Sequence, residues 1–134
     1  MKKDIPFLPV QNVMIAVVKQ LNDFDAVEWH VYLLNKNEKP LENVMVTSKG
    51  YGENNGVKQE TSVLRHFIGT VKADDSAKIE PIDPALFHLF NEFWVSYFIE
   101  GQIYDKKFVF VPGSLSEANL VRIGKLNLDG ILHR

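Results

Sequence analysis

Residues 92–111 read EFWVSYFIEGQIYDKKFVFV. Two nine-residue stretches, 92–100 and 103–111, flank Gly101-Gln102. Successive side chains of an extended strand point to opposite faces. Phe93, Val95, Tyr97 and Ile99 therefore share one face, and Trp94, Ser96, Phe98 and Glu100 share the other. On the returning stretch Tyr104, Phe108 and Phe110 lie together, with Lys106 among them, while Lys107 points the other way. Two such runs joined by a glycine turn predict a β-hairpin. Aromatic pairs across it contribute ~0.2–1 kcal/mol each. The aromatic cluster has two readings, as core packing or as a patch for a ligand or partner.

The same period of two extends upstream. Residues 10–19 (VQNVMIAVVK), 26–35 (AVEWHVYLLN), 41–49 (LENVMVTSK), 61–72 (TSVLRHFIGTVK) and 77–82 (AKIEPI) all read as strands. In 26–35 neither face is fully polar, which predicts a strand covered on both sides for part of its length, with Trp29 in the core. Asn35 to Pro40 forms a polar turn, and Gly69 marks a bulge. Pro81 confines its strand to a sheet edge or strand end. Gly50 to Gly56 reads as a mobile loop, with Asn55-Gly56 suited to a type I′ turn. One helix of about two turns is expected from Asp83 to Asn91, because Asp83 can cap it and Pro84 suits its first position. One or two short strands follow around 120–125 and 127–132. The expected fold is all-β with one short helix: an antiparallel β-sandwich of about seven to eight strands. The strand, polar turn and PLENVMV of residues 40–46 resemble immunoglobulin-like or transthyretin-like modules, which implies a fold and no function.

Composition narrows the classes. A chain of 134 residues fits a single domain over 1–134, with residues 1–9 as an extended lead-in set by Pro6 and Pro9. Cys 0 excludes disulfides, thiol nucleophiles and Cys-ligated metal. Lys+Arg 15 against Asp+Glu 17 gives a net charge of −2, which argues against a nucleic-acid coat. The longest apolar run, Val13 to Val18, is far short of the ~20 residues of a membrane helix. Asp4, Pro6 and Pro9 interrupt any signal-peptide core, so a soluble, cytoplasmic protein without membrane attachment is expected.

His30, His66, His88 and His133 have no metal-ligand spacing, and no serine sits in a nucleophile elbow. No catalytic residue, metal site or cofactor is therefore expected. The weak candidate is the Gly50–Gly56 region, where Lys49, Tyr51 and Lys58 flank a loop that could take a small anion or a partner. An enzyme assembled from distant residues would draw on His30, His66, Glu60 and Asp105. The favoured expectation is a non-catalytic module that binds a protein partner or forms a homo-oligomer, since sheet edges and faces can pair.

Four segments, EWHVYLLNKNEKPLENVMVTSKGYG, TSVLRHF, KIEPIDP and GQIYDKKFVFVPGS, resemble a family of short bacterial proteins labelled phenylalanyl-tRNA synthetase alpha subunit. They span most of residues 26–114. The resemblance implies an accessory role in tRNA or translation metabolism. The second motif of a class II synthetase has an arginine followed two positions later by glutamate. Here Arg65 is followed by His66 and Phe67, and Arg122 by Ile123 and Gly124. No catalytic residue carries over, so autonomous aminoacylation is not expected.

Overall fold

The alternation in residues 92–111 is repeated along nearly the whole chain. The computed structural model describes residues 8–134. Most of the lead-in expected over 1–9 thus lies outside the described residues. The strands are β1 (Val13–Leu21), β2 (Val27–Asn35), β3 (Leu41–Asn54), β4 (Val57–Glu60), β5 (Leu64–Val71), β6 (Asp75–Pro81), β7 (Phe90–Ile99), β8 (Gln102–Phe110), β9 (Val121–Ile123) and β10 (Leu128–His133). They form two antiparallel sheets, a β-sandwich. The first has the order β6-β2-β1-β10-β9; the second has β4-β3-β7-β8, with β5 also pairing β3. Among the described residues no helix is long and apolar enough to cross a membrane.

The inner faces meet in one core. Ile15, Val17, Trp29, Val31 and Leu33 come from the first sheet; Val44, Val46, Phe93, Val95, Tyr97 and Phe108 come from the second. Phe93 meets Phe110 edge-on at 6.0 Å, and Tyr97 stacks on Tyr104 at 5.3 Å. Trp29 is buried, as expected, with Phe87 against its ring at 5.2 Å. The two-sided covering expected of 26–35 is also present. On the far face of the first sheet, Ala16, Val18, Leu34 and Ile123 form a second cluster, joined by Tyr32, Leu126 and Leu128 from around it. The C-terminal segment thus folds back over that face.

Several local readings hold. Asn55 and Gly56 have φ of 53° and 78°, the two positive values of a type I′ turn. Gly69 has φ 85° at a register shift between β3 and β5. Pro81 ends β6, which is an edge strand.

Four differ. The hairpin turn is Glu100-Gly101 (φ 48° and 81°), one residue before Gly101-Gln102, because Ile99 pairs with Gln102. The helix expected over Asp83–Asn91 is a single 3-10 turn, Pro84–Leu86, capped by Asp83. Asn91 ends it early, since its Nδ2 donates to the carbonyls of Leu86 and Leu89, and β7 begins at Phe90. The stretch Gly50–Gly56 is not a mobile loop: β3 runs through to Asn54 and turns back into β4. Gly50 and Gly52 answer to crowding: a Cβ on Gly50 would come within 3.0 Å of Thr61 Cγ2, and one on Gly52 within 3.2 Å of Leu89 Cδ2. That extra hairpin, with both of the short strands expected around 120–125 and 127–132 formed, brings the strands to ten rather than seven or eight.

Two outcomes follow from this packing. A Cβ on Gly130 would lie 2.7 Å from the Val17 carbonyl oxygen and 2.9 Å from Ile123 Cδ1. Gly130→Ala should therefore lower unfolding stability by about 1–3 kcal/mol in a urea titration, the usual cost of overpacking; an unchanged midpoint would contradict the contact. Burial, and after it the neighbouring Tyr104, push the Tyr97 phenol well above its ordinary range. A raised native pKa contributes stability that is complete below the ordinary tyrosine value of ~10 and is lost as pH climbs above it. The urea midpoint should fall between about pH 9 and 12, and Tyr97→Phe should flatten that fall. Equal slopes in both proteins would refute the assignment.

Candidate functional site

Strand register places side chains in rows across the outer face of the second sheet. One row runs Phe67, Met45, Ser96, Asp105 across β5, β3, β7 and β8. The next runs Arg65, Thr47, Trp94, Lys107 across the same four strands. The rows are two residues apart along each strand, hence ~6.8 Å. Phe67 is 68% exposed, Met45 45% and Trp94 43%. No element among the described residues covers them, whereas the C-terminal segment covers the far face of the first sheet. Contiguous exposed apolar surface of this kind marks interaction sites.

The polar groups around Trp94 are organised. Its indole Nε1 donates to Asp105 Oδ1, and the Lys107 ammonium lies 4.7 Å from its ring centroid. The indole is thereby held between an anion and a cation. Arg65 is exposed and has no ion pair among the described residues.

Lys49, Tyr51 and Lys58 do come together. They line one hollow beside these rows, with Gly50, Gly52, Glu53, Glu60 and Glu92. Each lysine has a carboxylate: Lys49 Nζ is 3.8 Å from Glu92 Oε2, and Lys58 Nζ is 3.2 Å from Glu60 Oε1. Tyr51 stacks on Phe90 at 5.4 Å. Burial first, then the Glu92 carboxylate, holds its phenol above the ordinary range. Two lysines against three glutamates make a poor anion site, so this hollow fits a polar rim to the outer face.

His30, His66, Glu60 and Asp105 do not converge. His30 points to the far face of the first sheet, where its Nε2 lies 2.9 Å from Glu28 Oε2. Hydrogen bonds from Asn22 and then His30 hold the Glu28 carboxyl below its usual range. His30 Nδ1 is buried without a partner among the described residues, and Nε2 faces the Glu28 carboxylate, which together favour the tautomer with the proton on Nε2. Asp105 lies on the outer face of the opposite sheet, and Glu60 on the rim. Among the described residues no three His, Asp or Glu side chains are grouped to hold a metal ion.

One cluster escaped the sequence reading. Glu80 Oε1 accepts from Ser48 Oγ at 2.6 Å and lies 2.8 Å from His66 Nε2. These residues come from β6, β3 and β5, so the carboxylate ties the edge of one sheet to the other. Its order is unlike that of a Ser-His-Asp triad: Ser48 Oγ donates its hydrogen bond directly to the carboxylate, and His66 lies on the same carboxylate oxygen rather than between the two. Beside it a cleft of about 760 Å³ opens between the sheets. Only the register shift at Val31/Tyr32 turns Glu80 inward, and no spacing in the sequence announces it.

A scan of family models, curated proteins and solved structures finds no match to this chain.

Proposed function

We propose that this chain is a non-catalytic β-sandwich module that self-associates through the outer face of its second sheet. The observation that carries this is the complementarity of the two rows. A two-fold axis lying in that face, across the strands and midway between the rows, exchanges them. Phe67 then faces Arg65 of a second copy, and Asp105 faces the second copy's Lys107. A two-fold interface requires such a self-complementary patch. Guanidinium over an aromatic ring and a carboxylate against an ammonium are both favourable contacts.

The strand order supports an immunoglobulin-like form for the module. The adjacencies β1-β2-β6 and β3-β7-β8 follow the A-B-E and C-F-G orders of that sandwich. The translation-related role implied by the synthetase-like segments would call for a basic face. Here Arg65 and Lys107 alternate with Asp105 and Glu92, which supports a protein surface over a phosphate backbone. The absence of cysteine suits a cytoplasmic setting.

Sedimentation velocity over a concentration series tests the reading. The wild-type chain should form a dimer. Asp105→Lys or Lys107→Asp alone should weaken it at least about tenfold, or ~1.4 kcal/mol, and the double variant should recover it. A monomer at every concentration, or a double variant no better than the single ones, would overturn the proposal.

A further inference from the structure

The cleft between the sheets is separate from the outer face and serves no part of the self-association. Its volume of about 760 Å³ falls within the ~300–1,000 Å³ of small-molecule sites. Trp29, Ile82, Leu64, Leu86 and Phe93 give it apolar walls. The polar groups at its border are largely engaged within the chain. Asn91 Nδ2 serves two carbonyls, Thr61 Oγ1 takes the Gly50 N–H at 2.7 Å, and Asp83 caps the 3-10 turn.

Glu80 is the exception. It lines the cleft with its side chain only 11% exposed. Oε1 takes both of its hydrogen bonds, and among the described residues none reaches Oε2. A carboxylate this enclosed favours a donor or a cation on its free oxygen. The chain supplies neither. Lys49 borders the cleft with its backbone but directs its ammonium to the outer face, onto Glu92. His66 is already on Oε1, and no lysine or arginine among the described residues pairs with Glu80.

We propose that this cleft binds a small organic amine, its ammonium on Glu80 Oε2 and its apolar body between Trp29, Leu64 and Phe93. The charge fits the open oxygen of Glu80, the enclosed carboxylate of the cleft, whereas Asp83 at the border is exposed to solvent, and the apolar walls exclude a bare inorganic cation from gaining much there.

The test compares three probes of nearly equal shape by amide NMR titration of the wild-type chain: 2-phenylethylamine, 2-phenylethanol and 3-phenylpropionate. The amine should move the resonances of Trp29, Gly50, Ser62 and Glu80, and bind at least about tenfold more tightly than the other two. Glu80→Gln keeps an oxygen for Ser48 and His66 while removing the charge, and should abolish that preference. Equal binding of all three probes would overturn the proposal, as would binding of none or a preference that survives Glu80→Gln. If Glu80→Gln does not fold, the ranking of the three probes on the wild-type chain decides alone.

Discussion

The register of β7 against its neighbours governs the rest of the molecule. A slip by one residue would exchange Phe93, Val95 and Tyr97 for Trp94, Ser96 and Phe98, moving the core aromatics of β7 to the surface. Three features hold the register. The Glu100-Gly101 turn sets the pairing with β8. The Phe93–Phe110 and Tyr97–Tyr104 contacts lock the inner face. Trp94, between Asp105 and Lys107, locks the outer one. The same alternation therefore builds the core and displays the rows proposed for association.

Both sheets carry apolar side chains on their outer sides, but they are treated differently. The first sheet's far face is closed by the chain's own C-terminal segment through Ile123, Leu126 and Leu128. The second sheet's outer face has no such cover among the described residues. Between the sheets, the side bearing β5 and β6 is joined by polar contacts. Glu80 accepts Ser48 and lies against His66, while Asn35 Nδ2 lies within 3.3 Å of the Lys39, Val71 and Lys72 carbonyls. Polar contacts of this kind between the sheets favour one alignment of the two.

What was legible in the sequence was local. Alternation in 26–35 and 92–111, the Asn55-Gly56 turn, the Gly69 bulge and Pro81 at an edge all depend on near neighbours or on backbone angles. The helical pattern at Leu86, Phe87 and Phe90 was genuine at its start. It was overridden when Asn91 took the carbonyls and β7 drew Phe90 into the sheet. Gly50 and Gly52 look identical to loop glycines in sequence, since crowding by Thr61 and Leu89 is a tertiary fact. Lys49, Tyr51 and Lys58 do share a hollow, but the carboxylates that neutralise them come partly from β7. The trio Ser48, His66 and Glu80 and the two outer rows depend on register across three or four strands. No single segment encodes that.

The central claim is that the two outer rows meet their own counterparts in a second copy. An isotope-filtered nuclear Overhauser measurement on an equimolar mixture of labelled and unlabelled chains tests it most directly. The account predicts cross-copy contacts from the Phe67 ring to the Arg65 side chain, together with Met45 to Thr47. A dimer whose cross-copy contacts arise only from other surfaces, or a mixture that yields none, would contradict it.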